Sequence, residues 1–415
     1  MSDTREIDSC RLCGGKDLHE YIDFGAVALG NNLQEDPVDA RAAAQYPLGL
    51  NRCGACGHFQ LTQAVDPKIL YATNYTYLSG ISESFVRHFQ GYAAWAEETC
   101  SLPAGSLVVD VGSNDGSCLK AFQDRGHKVC GVDPASMPAD IANANGIDTI
   151  NAFFNDEAAA EIKARYGLAD YVTSHNVLAH VDDLAATFRT IRDLLKPGGY
   201  FGFEVGYFRE VLRTGCFDTI YHEHLDYHHA APLVRYLTAL GFSIVDLSVN
   251  AIQGGSIRVL CRKDEDGSVS PAAKAFLDEE AGSVLNDEAF LSRWREKIEA
   301  GMAQFHQLLR DRADSGASIA AYGAPTKATL LMKMAGIGGD EIAYVVDDNK
   351  LKAGRYFPSS GVPIMPTAHL MAEPADVLII FAWNFADDII AKIKGKFDKP
   401  VDVVVPLPEL RTVRI

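Results

Sequence analysis

Ser106-Leu107-Val108-Val109-Asp110-Val111-Gly112-Ser113-Asn114-Asp115-Gly116-Ser117-Cys118-Leu119 reads as a short buried strand, a glycine turn and the start of a helix. An apolar run of this length, stopped by glycine, fits a parallel strand covered on both faces. The step from strand through glycine to helix offers backbone N–H groups to a ligand. A dinucleotide fingerprint would need Gly-x-Gly-x-x-Gly here, but Asn114 holds the middle position between Gly112 and Gly116. Asp110 and Asp115 disfavour a pyrophosphate and suit a ligand carrying an ammonium and a sulfonium, because opposite charges attract most where water is thin. That ligand is S-adenosylmethionine. A second strand, Lys128 to Asp133, ends on a carboxylate at about the 20-residue offset that reaches ribose hydroxyls. Asp133 is therefore the expected ribose ligand.

Outward from this pair, Asp170 to His180 reads as the next core strand and its loop, and Leu184 to Leu195 as a helix. Lys196-Pro197-Gly198-Gly199 then turns into a strand over Tyr200 to Val205. Upstream, Ser82 to Cys100 reads as a capped helix with Phe85, Phe89, Tyr92 and Ala96 on one face. Before it, Tyr75 and Tyr77 fall on an expected loop. Residues 80 to 265 together resemble the class I methyltransferases. The resemblance places the adenine cover at Asn151 to Asn155, with Phe154, and adds Pro134, Asn176 and Val177 to the cofactor residues Asp110, Gly112, Asn114, Gly116 and Asp133.

Nine cysteines are present. Cys10-Arg11-Leu12-Cys13 and Cys53-Gly54-Ala55-Cys56 form two matched knuckles able to present four thiolates to Zn2+. A redox pair or a disulfide framework competes with zinc, but a cytosolic setting and matched knuckles favour the metal. Four thiolates close the coordination sphere, so the zinc is expected to be structural. Cys100, Cys118, Cys130, Cys216 and Cys261 read as buried free thiols.

At 415 residues the chain should hold about two to three domains. The boundaries read as 1–72 for the zinc module, 73–283 for the methyltransferase and 284–415 for a C-terminal Rossmann-like domain. No apolar run approaches the roughly 18 residues that span a bilayer, and the polar N-terminus lacks a signal-peptide pattern. No membrane partner and a cytoplasmic location are expected. A net charge of −17 disfavours nucleic acid, and a zinc-ribbon RNA methyltransferase would need basic and aromatic clusters that this chain lacks.

Tyr221-His222-Glu223-His224, within Phe217 to His229, gathers a phenol, a carboxylate and imidazoles. Imidazole accepts a proton near neutrality without help, so the cluster reads as a general base beside the cofactor. It is no zinc-protease helix, since Asp226 stands where the second histidine of His-Glu-x-x-His would be. In the last third, Asn286 to Arg310 reads as an amphipathic helix with Leu291, Trp294, Ile298, Phe305 and Leu308 on its apolar face. Strands are expected at Ser318 to Tyr322, Ile342 to Val346, Asp376 to Phe381 and Val401 to Val405. In Tyr322-Gly323-Ala324-Pro325-Thr326-Lys327-Ala328, Gly323 makes the turn, Thr326 caps a helix and Lys327 adds a cation to its first turn, a setting for phosphate. Asp347 to Arg355 brings Lys350, Lys352 and Arg355.

The knuckles, the core with Tyr221 to His224, Gly254-Gly255-Ser256-Ile257-Arg258 and the Tyr322-Gly323-Ala324 domain resemble the nucleotide-sugar C-methyltransferases of deoxysugar biosynthesis over essentially the whole chain. The best-described relatives methylate carbon 3 of thymidine-diphosphate 4-keto-6-deoxyhexoses. The resemblance makes His224 the base, completed by Tyr221, Glu223, His180 and one of Tyr75 or Tyr77. Glu223 is expected to orient or charge the imidazole and Tyr221 to stabilise an enolate. Arg258 and Tyr322 would meet the substrate, and Lys327, Lys352 and Arg355 the nucleotide diphosphate. Gln253 stands where relatives often have histidine, so methylation at carbon 5 or at a hydroxyl, or a guanosine-linked sugar, are the alternatives. The rival outside enzymology is a non-catalytic adenosylmethionine sensor. A monomer or weak homo-oligomer is expected.

Overall fold

The computed structural model describes residues 3–71, 78–81 and 83–415, so Tyr75 and Tyr77 lie outside the described residues. The N-terminal module carries β1 (Thr4–Glu6), β2 (Leu18–Ala28), β3 (Gln45–Cys53), β4 (Phe59–Leu61) and β5 (Gln63–Val65). β2, β3 and β4 pair antiparallel, and β1 pairs with β5. Between β3 and β4 the chain reverses through the second knuckle, where the Gly57 N–H donates to the Cys53 carbonyl at 2.8 Å and Gly57 takes a φ of +84°. Only glycine adopts that backbone readily.

The central unit supplies β6 (Leu107–Val111), β7 (Lys128–Val132), β8 (Thr149–Ile150), β9 (Ala169–His175), β10 (Leu195–Gly206), β11 (Asp226–Tyr227), β12 (Phe242–Asn250) and β13 (Ser256–Lys263). Seven of these form one sheet in the order β12-β13-β10-β9-β6-β7-β8, with β13 antiparallel to both of its neighbours. This is the α/β class I core that the glycine turn and its flanking strands predict. β6 is buried throughout, and the helix Glu83–Cys100 lays Phe85, Phe89, Tyr92 and Ala96 into the core as expected. The expected turn at Lys196 to Gly199 is a register break inside β10, which already starts at Leu195.

β11 belongs elsewhere. It pairs antiparallel with β4, Asp226 opposite Gln60 and Tyr227 opposite Phe59, and so completes the N-terminal sheet in the order β11-β4-β3-β2. The sequence boundary at residue 73 therefore does not divide the core. Leu50 and Phe59 of the module share one buried cluster with Phe208, Ile220 and Leu225.

The C-terminal unit is a second Rossmann-like sheet of β14 (Ile319–Tyr322), β15 (Val345–Asp347), β16 (Ile364–Pro366), β17 (Val377–Ile380), β18 (Asp402–Val405) and β19 (Arg411–Arg414). The order is β16-β15-β14-β17-β18-β19, parallel except for the edge strand β19. Four of the six strands fall at the expected places, although β15 starts later than Ile342. β16 and β19 are additions. The linking helix, Glu288–Asp314, buries Leu291, Trp294, Ile298, Met302, Phe305 and Leu309. The expected Leu308 is partly buried against the same core, and Met302 and Leu309 join the stripe at the helical repeat. Among the described residues no helix is long and apolar enough to cross a membrane.

Candidate active site

The four knuckle sulfurs Cys10, Cys13, Cys53 and Cys56 lie within 4.8 Å of one another. Cys10 Sγ is 3.6 Å from Cys56 Sγ, and Cys13 Sγ is 3.7 Å from Cys53 Sγ. A Zn–S bond of about 2.3 Å gives tetrahedron edges of about 3.8 Å, so these thiolates fit zinc closely. A Cβ on Gly15 would already stand 3.3 Å from Cys13 Sγ, which leaves the knuckle no room for bulk.

The same knuckles grip the histidine segment. Arg11, inside the first knuckle, donates through Nε to both oxygens of Asp226 at 3.1 and 3.2 Å and through Nη2 to the Val181 carbonyl at 2.5 Å. His58, just past the second knuckle, places Nε2 2.9 Å from the fully buried Asp226. Burial alone would raise the Asp226 carboxyl, yet the Arg11 charge and the His58 hydrogen bond hold it below the usual carboxylate range. Asp226 is two residues past His224.

His224 sits in a tight frame. A short turn at Phe217–Thr219, fixed by buried Phe217 and Ile220, presents the Thr219 carbonyl to His224 Nδ1 at 3.0 Å. A carbonyl only accepts, so Nδ1 carries the proton and Nε2 keeps its lone pair. The Tyr221 hydroxyl donates to that Nε2 at 2.8 Å. The His180 ring stands edge-on to His224 at 4.7 Å. Burial, reinforced by His180, pushes the His224 imidazole well below its ordinary value. Burial takes His180 down to about 4, and both rings are neutral at pH 7.

Glu223 does not meet the imidazole as expected. Its Oε1 accepts from Asn31 Nδ2 at 2.7 Å, and the orienting contact on His224 belongs to the Thr219 carbonyl. Burial raises the Glu223 carboxyl to about 7. Adjacent residues in this segment point different ways, so a carboxylate next in sequence to the base has no reason to touch it. Asn31 and Thr219 carry no sequence signal: one lies in a loop 192 residues before Glu223, and the other acts through its backbone.

The cofactor turn fits an adenosylmethionine site. Asp110 Oδ1 and Ser113 Oγ are buried without a hydrogen-bond partner among the described residues. Burial, with Asp133 nearby, raises the Asp110 carboxyl well above the usual range, an environment that a cationic ligand suits. Gly112 has a φ of +74°, and a Cβ there would come within 2.2 Å of the Val177 side chain. Asp133 accepts from the Asn114 and Ala135 N–H groups, both at 2.8 Å, which draws Asn114 and Pro134 to the end of β7. Gly116 packs on Ile147, Asn176 takes a left-handed φ of +56° at the end of β9, and Phe154 is half-buried in the loop after β8. Asp115 differs from expectation: it accepts from the Gly80 N–H at 2.7 Å and from Ser117, tying down the preceding turn.

Arg258 lies in the central sheet, its Nε 2.7 Å from Glu204 Oε1 and its guanidinium 4.4 Å from the Trp95 ring centroid. Glu204 also binds His88 at 2.6 Å, His175 at 3.3 Å and Asn250 at 2.9 Å, a buried knot that sequence reading missed. Lys327 occupies the cap position of helix Ala328–Ala335, and its Nζ lies 3.6 Å from the Trp383 ring centroid and 3.1 Å from Asn384 Oδ1. Trp383 in turn donates to Asp218 at 2.6 Å, which brings the lysine turn against the histidine segment. The Tyr322 hydroxyl donates to Asp348 at 2.9 Å, and Lys352 donates to the Ala324 carbonyl at 2.8 Å. Arg355 stands 4.0 Å from Glu35 of the N-terminal module.

The C-methyltransferase NovU of Streptomyces niveus is 34% identical over 410 residues, covering 99% of this chain and 97% of its own. The chain belongs to the C-methyltransferase family. Family models match in the same domain order: a zinc binding domain over residues 10–71, a methyltransferase domain over 86–247 and a C-methyltransferase C-terminal domain over 251–408. The ubiquinone biosynthesis O-methyltransferase of Pseudomonas paraeruginosa (strain DSM 24068 / PA7) is 35% identical over 107 residues, 25% of this chain and 46% of its own. Among solved structures, magnesium protoporphyrin IX methyltransferase (ChlM) from Synechocystis PCC 6803 with bound SAM is 16% identical, covering 43% of this chain and 79% of its own with a TM-score of 0.33. This C-methyltransferase is thus an S-adenosylmethionine-dependent enzyme with a structural four-cysteine zinc site. In a C-methyltransferase the methyl acceptor is a carbon atom.

Proposed function

We propose that the protein methylates carbon 3 of a nucleotide-linked 4-keto-deoxysugar, with thymidine diphosphate as the first candidate carrier. The observation that carries this reading is the Thr219–His224–Tyr221 chain, which keeps a neutral imidazole whose unprotonated Nε2 accepts from the Tyr221 hydroxyl. A hydrogen beside a ketone is acidic because its loss gives an enolate, so one base and one donor to the ketone oxygen suffice. His224 Nε2 takes the proton from carbon 3, the C–H electron pair forms the double bond to carbon 4, and the carbonyl π pair moves onto the ketone oxygen. Tyr221 swings its O–H from Nε2 to that oxygen, which both bares the base and steadies the enolate. Bound S-adenosylmethionine supplies a methyl group already activated on sulfur, held by Asp110, Gly112, Asn114 and Asp133. His180 and Glu223 wall the site.

The C-terminal unit holds the nucleotide diphosphate at the Tyr322 to Lys327 turn, with Lys352 and Arg355 behind it. NovU, named a C-methyltransferase and matched end to end, supports the carbon acceptor. The test is to incubate the protein with 4-keto nucleotide sugars in heavy water without adenosylmethionine and locate the deuterium. Label at carbon 3, abolished by His224→Asn, is the expected result. Label at carbon 5 moves the acceptor, and no label from any keto sugar rejects the enolate.

A further inference from the structure

Gly30 and Asn31 lie in the loop after β2, where the N-terminal module meets both other units. A Cβ on Gly30 would stand 2.1 Å from the Thr326 carbonyl oxygen, so the two backbones touch and only glycine fits. This contact sets the Asn31 amide between side chains from distant segments. Its Nδ2 donates to Glu223 Oε1 at 2.7 Å, and its Oδ1 accepts from Thr326 Oγ1 at 2.5 Å. The helix that Thr326 is expected to cap has no side-chain cap, and the hydroxyl serves Asn31 instead. Thr326 directly precedes Lys327, and Glu223 directly precedes His224. One amide therefore joins the proposed diphosphate turn to the segment holding the base.

We propose that Asn31 is a positioning residue coupling nucleoside-diphosphate binding at the Thr326–Lys327 turn to the setting of Glu223 beside the sugar. The coupling follows from donor count. A threonine hydroxyl has one proton to donate, and a charged phosphate oxygen is a stronger acceptor than a neutral amide. Diphosphate at the turn takes the Thr326 hydroxyl, Asn31 Oδ1 loses its anchor, and the amide is free to rotate. Glu223 then exchanges a fixed partner for one that moves, and its carboxyl becomes available to the sugar. A keto sugar lacking the diphosphate leaves Glu223 clamped, so the relay favours nucleotide-linked substrates. The inference rests on the diphosphate site proposed above.

The test uses the full-length zinc-loaded protein with 13C-carboxyl glutamate, the Glu223 signal being assigned by its loss in Glu223→Gln, and thymidine diphosphate as the probe. Thymidine diphosphate should move that signal in the parent protein and in Thr326→Ser, but not in Asn31→Ala, Asn31→Asp or Thr326→Val. Its affinity for Asn31→Ala should stay within about twofold of the parent. With the hydrogen bond that clamps Glu223 removed, Asn31→Ala should narrow the preference, in kcat/KM, for the nucleotide-linked sugar over the same keto sugar without the diphosphate by about tenfold. A signal that ignores bound thymidine diphosphate in the parent, or still responds in Asn31→Ala and Asn31→Asp, overturns the relay. Failure of thymidine diphosphate to bind at all refutes the diphosphate site and the relay with it, while ring-proton exchange in heavy water reports separately on the enolate. Two variants of the same size, Asn31→Asp and Thr326→Val, keep the outcome readable if Asn31→Ala folds poorly.

Discussion

The base proposed at His224 needs one nitrogen without a proton, and the Thr219 carbonyl secures this by holding the proton on Nδ1. Replacing it by asparagine removes the base but keeps a donor for Thr219, so turnover should fall by roughly 10² to 10⁴ with adenosylmethionine affinity unchanged. Steady-state kinetics beside equilibrium binding of the cofactor separates the two. Glu223 gives a second handle. Its folded pKa, about 7, lies above the ordinary 4.5, so between those values the folded protein holds more protons than the unfolded chain. Stability linked to Glu223 is fully present below about pH 4.5 and is lost as pH rises through 7. Glu223→Gln should remove that decline and gain on the order of 3 kcal/mol over the parent at pH 8. Urea titrations at pH 5 and pH 8 check it: equal pH slopes in parent and variant would place the Glu223 carboxyl in the ordinary range.

At the scale of elements, the buried strands were readable because each is a short apolar run closed by glycine or by a charged turn, as at Leu107–Val111 and Val377–Ile380. β11 was not readable. Asp226 and Tyr227 form a two-residue strand amid histidines, and its partner β4 lies far away in sequence, so no local period announces the pair. The edge strand β19 is largely exposed and polar for the same reason of position. For the site, residue types were legible and pairings were not: His224, Tyr221 and His180 do converge, whereas Glu223 turns to Asn31 and Arg258 to Glu204. The buried Arg11–Asp226 pair tests how β11 is held. Arg11→Ala leaves Asp226 buried with His58 alone, which should cost about 3 to 5 kcal/mol. Chemical unfolding would show the loss, and a change below 1 kcal/mol would mean that the ladder to β4, not the ion pair, fixes the segment.

For the whole molecule, the three units are joined at the chemistry rather than strung along the chain. The zinc knuckles carry Arg11 and flank His58, both of which hold Asp226, and Asp226 begins the strand that follows His224. The C-terminal unit reaches the same segment from the other side through Trp383 and Asp218. The residues proposed for adenosylmethionine have a different footing, since they stand on or just after β6, β7 and β9, whose order is fixed by the central sheet. Zinc removal should therefore uncouple two properties that a simple loss of folding would lower together. Structural zinc contributes folding free energy to the elements it ties. Treatment with a strong chelator should free the four thiols, loosen β4 and β11, and abolish methyl transfer and ring-proton exchange. Cofactor affinity should stay within about tenfold, because a core of buried strands supports that site and metal loss unfolds the elements it ties first. Thiol titration, isothermal calorimetry with adenosylmethionine and the heavy-water assay read the three quantities on one sample. Ring exchange that survives complete metal loss would show that His224 is positioned by the central unit alone, and that the shared sheet is no more than a docking contact.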